Sequence, residues 1–87
     1  MKRIKYKYVN SKLMSKDSFL CGNQYLFIVL EKHSEVFHYE IKNYEENKVI
    51  CQGTAKTLTL IKKYAKMKLI ELGASFMDEV RNKEVIG

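Results

Sequence analysis

The sequence predicts an α+β fold in which a three-stranded antiparallel meander packs against helices. Three strand-like segments lie within residues 25–52 and are joined by short polar turns. Residues 58–72 instead repeat apolar side chains at intervals of three and four, the spacing of an amphipathic helix. The 87 residues suit a single domain over residues 1–87, and a 46% hydrophobic and 30% charged composition is that of a globular protein.

Two segments precede the meander. Residues 1–10, MKRIKYKYVN, are basic and alternate aromatic with lysine side chains, so they form either an N-terminal arm or an additional strand. Residues 11–20, SKLMSKDSFL, predict a short helix that Ser11 caps and that ends at the turn containing Gly22.

The meander itself is predicted from three patterns. Residues 25–31, YLFIVLE, are a continuous apolar run of the kind found in a central strand. Residues 36–44 alternate apolar with polar side chains, and residues 49–52 supply a short third strand. Because the connections are short, we expect the three strands to pair antiparallel in chain order.

The predicted fold ends in two helices that follow the meander. The apolar side chains of the first share one side and are expected to pack on the sheet: Leu58, Ile61, Ala65, Leu69 and Leu72. Thr57 supplies an N-cap hydroxyl, and Gly73 stands where a helix often ends in a left-handed residue. Ser75 begins a capping-box pattern, which predicts a short C-terminal helix over residues 75–83.

A second apolar stripe, Leu60, Tyr64 and Met67, points away from the main core of the predicted helix. Either the C-terminal helix covers this stripe or the stripe is open to a partner. The open arrangement would suit a protein–protein interface or a homodimer.

Charge is distributed unevenly along the chain, whose net charge is +6. Residues 1–16 carry six basic side chains and no acidic one, whereas residues 17–55 have a net charge of −3. Residues 56–72 return to +4. Two basic segments thus flank an acidic hairpin, which favours a polyanion bound on one side of the molecule. The alternative is a lysine-rich surface that is merely solvated.

Two short motifs lie at the ends of the meander. Residues 33–37, HSEVF, match an H-x-x-x-F pattern, and residues 53–57, GTAKT, match most of a glycine-and-lysine turn into a helix. With these motifs, residues 11–72 resemble a degenerate double-stranded-RNA-binding domain, a family with the order α-β-β-β-α. The chain departs from the family at Ala55, which replaces a second glycine, and its K-K-x-A-K run, residues 62–66, lies one helical turn late.

The resemblance implies duplex RNA as partner, read by shape over about 16 base pairs. The first helix and the His33 loop would enter successive minor grooves, and lysines of the last helix would contact the phosphates between them. The residues implied to contact RNA are Lys56, Lys62, Lys63, Lys66, His33, Lys12 and Lys16.

The sequence predicts a protein that is not an enzyme and has no cofactor or metal. No spacing of serine, histidine, cysteine or carboxylate residues suggests a catalytic site, and Cys21 and Cys51 fit neither a disulfide framework nor a metal site. Two free thiols predict an intracellular protein, cytoplasmic or nuclear. No apolar run reaches the roughly 18 residues that would predict a membrane span.

Two alternatives to RNA binding stay open. The same fold could serve as a protein–protein interaction or dimerisation module, or as a small viral or mobile-element inhibitor that binds a protein target. A three-stranded sheet with a helix also occurs in the DNA-binding arms of some recombinases, and that interpretation would turn Lys42, His38 and Glu40 towards DNA, where the acidic Glu40 disfavours it.

Overall fold

The structure, a computed structural model, describes residues 3–73. Within this part of the chain a six-stranded antiparallel sheet is covered on one face by one helix, which makes the fold α+β. The strands are β1 (Tyr6–Val9), β2 (Lys12–Ser15), β3 (Phe19–Cys21), β4 (Gln24–His33), β5 (Val36–Asn43) and β6 (Val49–Ala55), and the helix is α1 (Leu58–Glu71). That helix lacks the length and apolar character needed to cross a bilayer.

The predicted meander is confirmed as β4, β5 and β6, and the additional N-terminal strand is confirmed as β1. The sheet order is β1-β2-β4-β5-β6, with β3 paired to β4 beside β2. The longest pairing joins β4 to β5, from Leu26 opposite Asn43 to His33 opposite Val36. Directly opposite residues share a face of the sheet, so this register fixes which side chains meet α1.

The predicted helix over residues 11–20 is wrong, because these residues form β2 and β3. Both strands pair with the same edge of the ten-residue strand β4: Leu13 lies opposite Leu30, and Phe19 lies opposite Leu26. Pairing with this long strand satisfies backbone groups that would otherwise be exposed at its edge, and such tertiary context overrides a weak local preference for helix. The first helix of the α-β-β-β-α order is therefore missing from the described chain.

Ser15 is the last residue of β2 and lies where the strand edge along β4 is interrupted before β3 begins. Its hydroxyl accepts a hydrogen bond from the backbone N–H of Ile28 at 3.0 Å and donates one to the carbonyl of Asp17 at 3.1 Å. The Ile28 N–H faces the point where the edge strand is interrupted, so without Ser15 a buried donor would lack a partner. The Ser15 side chain thus supplies the acceptor that a backbone carbonyl of a continuous paired strand would otherwise supply.

The core lies between the sheet and α1. Its buried members include Leu26 and Ile28 of β4, Ile41 of β5, and the helix residues Ile61 and Leu69. The helix prediction is confirmed at both ends. The Thr57 hydroxyl accepts a hydrogen bond from the Leu60 N–H at 3.1 Å, and Gly73 follows the helix with a φ of +83°. The predicted helix over residues 75–83 lies outside the described residues.

Gly53 lies within β6 and not in a turn, so the resemblance to a glycine-containing turn does not hold at this residue. It is paired with Tyr39 of β5, whose ring lies over the glycine: an added Cβ would stand 2.9 Å from Tyr39 Cζ and 3.0 Å from its hydroxyl oxygen. Contacts this short do not occur between unstrained carbon atoms. Gly53 is therefore required by the packing of Tyr39 against the core.

Candidate nucleic-acid interface

A cleft lined by cationic side chains lies between the start of the chain and one flank of α1. It encloses about 300 Å³ and is lined by Arg3, Ile4, Tyr6, Lys62, Lys63 and Lys66. We call this set the basic cleft. Three of its residues are lysines that the sequence predicted for RNA contact.

Two elements position the basic cleft. On α1, Ile61 and Ala65 are fully buried against the sheet, so the residues that follow each of them, Lys62 and Lys66, are turned to the flank of the helix. One turn separates these two lysines, about 6 Å along the axis. On the sheet side, β1 is held by its pairing with β2, where Tyr6 lies opposite Ser15.

Tyr6, the aromatic residue of the cleft, contacts a cation directly. The ammonium nitrogen of Lys62 lies 5.4 Å from the ring centroid of Tyr6, within the range of a cation–π interaction. The contact places the charged end of Lys62 against Tyr6 of β1 within the cleft.

Among residues 3–73, no acidic side chain lines the basic cleft. The ion pairs found within residues 3–73 join Lys12 and His33 to Glu31, and Lys68 to Glu71. The four cleft cations consequently have no acidic partner in the described chain. Their mutual repulsion favours a bound anion.

The hydroxyl of Tyr6 is buried and has no hydrogen-bond partner within residues 3–73. Burial also raises the pKa of Tyr6 to about 12, because the phenolate is poorly solvated there. The side chain therefore serves as an apolar support of the cleft, and its hydroxyl is a liability to stability.

Replacing Tyr6 with Phe is expected to raise the free energy of unfolding by about 1 kcal/mol, because an unsatisfied buried hydroxyl is removed while the ring remains. Urea unfolding at pH 7 measures this change. The matched control is Tyr8→Phe in the same strand, whose side chain is 77% exposed and whose replacement should have no measurable effect. A destabilised Tyr6→Phe variant would show that the hydroxyl has a partner.

Comparison of the unaltered protein with Tyr6→Phe also tests how the stability of the fold depends on pH. In the unfolded chain a tyrosine ionises near pH 10, whereas the folded chain holds the Tyr6 proton until about pH 12. Proton release is thus easier from the unfolded state, so stability falls as pH rises through this window, by at most about 1.4 kcal/mol per pH unit. The Tyr6→Phe variant should lack this component.

The other predicted RNA contacts do not join the basic cleft. Lys12 and His33 both contact Glu31, with Lys12 Nζ 3.7 Å and His33 Nε2 3.2 Å from the Glu31 carboxylate. These neighbours, His33 first, hold the pKa of Glu31 below its usual value. Because Leu13 and Leu30 face α1, the adjacent Lys12 and Glu31 face the opposite side of the sheet.

Lys16 and Lys56 are also separate from the cleft. Lys16 follows β2 and lines a different cavity, with Lys7 and Phe27, and Lys56 is exposed between β6 and α1. The seven predicted residues thus divide between two faces of the sheet. Lys62, Lys63 and Lys66 line the basic cleft together, whereas Lys12 and His33 share a contact with Glu31 on the other face.

The sequence does not predict the other three cleft residues, Arg3, Ile4 and Tyr6. The available signal was the alternation of basic and aromatic side chains in residues 1–10, which is a strand pattern. It did not show that the strand would pass beside the lysine flank of α1.

The remaining candidate groups are placed as follows. Leu60, Tyr64 and Met67 are exposed on α1, between 37% and 50% of their surface. The C-terminal segment that could cover them lies outside the described residues. The rings of His33 and His38 lie 4.8 Å apart, yet no three His, Cys, Asp or Glu residues in the described part of the chain are placed to hold a metal ion.

Comparison with protein-family models, curated protein sequences and solved structures finds no match to this chain. The geometry of the basic cleft is thus the basis for a functional proposal.

Proposed function

We propose that this protein binds nucleic acid without catalysis, through phosphate contacts at the basic cleft, and that duplex RNA is its ligand. One observation carries the proposal: Arg3, Lys62, Lys63 and Lys66 converge on one cleft and have no acidic partner among the described residues. Phosphate contacts of this kind fix a protein on a duplex without reading its sequence.

The spacing of the cations suits a phosphate backbone. Lys62 and Lys66 are about 6 Å apart along α1, and one strand of a B-form duplex advances about 3.4 Å per phosphate. Lys62 and Lys66 can therefore contact phosphates about two steps apart on one strand, and with Arg3 and Lys63 the cleft offers four cations for phosphate contacts. The minor-groove contacts of a first helix have no counterpart here, since residues 11–20 form strands, so the proposal depends on the cleft alone.

The experiment measures binding of a labelled duplex RNA of about 20 base pairs as salt is varied, with duplex DNA as a second probe. Four phosphate contacts predict that log K falls against log salt with a slope of roughly −3.6, taking about 0.9 per contact on a B-form duplex. Replacing Lys62, Lys63 and Lys66 together with Ala should reduce the magnitude of this slope by about 2.7. Tighter binding of RNA than of DNA would support the choice of ligand.

The matched control removes three lysines from other surfaces, Lys5, Lys32 and Lys48, and so changes the net charge equally. We expect this control to retain most of the slope, because its lysines do not line the cleft. Equal losses in the two triple variants would mean that only total charge matters, and the basic cleft would not be the site. Absence of binding by the unaltered protein at about 50 mM salt would contradict the proposal.

A protein-interaction module is the second candidate function. It is favoured by the exposed apolar stripe of Leu60, Tyr64 and Met67 on α1. Contiguous exposed apolar side chains often mark a protein interface. Sedimentation velocity of the unaltered protein would detect self-association at this stripe, and a concentration-independent monomer would remove the homodimer.

A further inference from the structure

The sheet has a second face that none of the described elements covers, and we call it the open face. Along β4, Leu26 and Ile28 point towards α1, so the residues between and beside them, Tyr25 and Phe27, point to the open face. Tyr44, just after β5, reaches the same face, because its ring meets that of Phe27.

Three aromatic side chains form a patch at one end of the open face. The rings of Phe27 and Tyr44 are 6.0 Å apart and nearly perpendicular, an edge-to-face pair. Tyr25 lies two residues from Phe27 on the same strand, and its carbonyl accepts a hydrogen bond from the Tyr44 N–H at 2.8 Å. The side chain of Tyr44 is 64% exposed, so it presents a ring to solvent.

Lysines surround this patch. A cavity of about 410 Å³ is lined by Phe27 and Tyr44 together with Lys7 and Lys16, and its other lining residues within 3–73 are neutral. Lys42 is paired with Phe27 across β4 and β5 and so stands on the same face. The acidic residues of the following turn, Glu45 and Glu46, do not line the cavity.

We infer that this cavity binds one unpaired base of a single-stranded nucleic acid, with the base stacked on Tyr44 and the adjoining phosphates held by Lys7 and Lys16. Exposed aromatic rings bind bases of any sequence because every base has a π face, and nearby cations follow the backbone. The volume lies within the range of small-ligand sites, about 300–1,000 Å³. Lysine is depleted at protein–protein interfaces, which argues against a protein as the occupant.

The inferred site goes beyond the proposed function. The basic cleft lies on the α1 side of the sheet and is proposed to contact phosphates, whereas the open-face cavity would contact a base. The two sites therefore differ in the part of the nucleic acid that each needs. A duplex has its bases stacked internally and should not use the open-face cavity.

The test compares two labelled single strands of about 12 nucleotides, one with ordinary bases and one made entirely of abasic units, so that both carry the same charge. We expect the unaltered protein to bind the ordinary strand about tenfold more tightly, the usual effect of one stacked base. Tyr44→Leu should remove this preference and leave the salt dependence unchanged. The matched control, Tyr64→Leu, alters an exposed tyrosine of α1 and should preserve the preference.

Equal binding of ordinary and abasic strands by the unaltered protein would overturn the inference, as would a Tyr44→Leu variant that keeps the full preference. The comparison of the two strands needs no variant, so it stands even where Tyr44→Leu disturbs folding. Duplex binding by Tyr44→Leu should equal that of the unaltered protein. Failure of the basic cleft would appear instead as absent duplex binding, which distinguishes the two proposals.

Discussion

Replacing Ile61 with Ala is expected to lower the free energy of unfolding by about 2–5 kcal/mol. Ile61 is fully buried between α1 and the sheet, so the shorter side chain loses apolar contact and leaves a cavity that its neighbours fill only in part. A domain of this size has a total stability of about 5–15 kcal/mol, so the loss is a large fraction of the whole. Urea unfolding followed by circular dichroism measures it.

The same helix provides a matched control. Ile70 is 44% exposed, and Ile70→Ala changes the same atoms without opening a cavity. Its effect should stay within about 0.5 kcal/mol, helped by the higher helix propensity of alanine. Similar losses in the two variants would mean that α1 does not pack on the sheet through Ile61.

Replacing Gly53 with Ala is expected to destabilise the fold by about 1–3 kcal/mol, the usual effect of overpacking a core. The new methyl group would lie 2.9 Å from Cζ of Tyr39, which is only 7% exposed and is packed among other core side chains. The ring cannot swing into solvent, so either it or the backbone of β6 must shift. Equilibrium unfolding in urea measures the loss.

A double-mutant cycle with Tyr39→Leu identifies the cause. In the Tyr39→Leu background the ring is absent, so Gly53→Ala should be neutral or stabilising by about 0.5–1 kcal/mol, because alanine is favoured over glycine within a strand. An unchanged loss in both backgrounds would contradict the packing explanation and would place the strain in the backbone of β6.

The strand β5 and the helix α1 could be predicted because burial of one side of an element repeats apolar residues at a fixed spacing along the sequence. Alternation in β5 and the three-and-four spacing in α1 both follow from one side facing a common core, and both predictions are confirmed. Residues 11–20 lack such a period. The strand that contains Leu13 and Ser15 ends at Ser15, and residues 16–18 interrupt the pattern before the next strand begins at Phe19. What decides their structure is the free edge of β4, which no local pattern displays.

The candidate site likewise has one part that the sequence predicts and another part that it does not. The grouping of Lys62, Lys63 and Lys66 follows from helical spacing within one element. The addition of Arg3 could not be predicted, because it depends on how the chain before β1 lies against α1. The resemblance places Lys12, on a first helix, and His33, in a loop, on the same surface as the helix lysines, but strand pleating turns Lys12 to the other side of the sheet.

The order of elements has a consequence for synthesis of the protein on the ribosome. Leu26, Ile28 and Ile41 precede residues 58–71 in the chain, yet α1 is the element that covers them. Until the helix emerges from the exit tunnel, any part of the sheet that has already emerged exposes an apolar face to water. A chain truncated before Leu58 would expose this face permanently, and we expect it to aggregate.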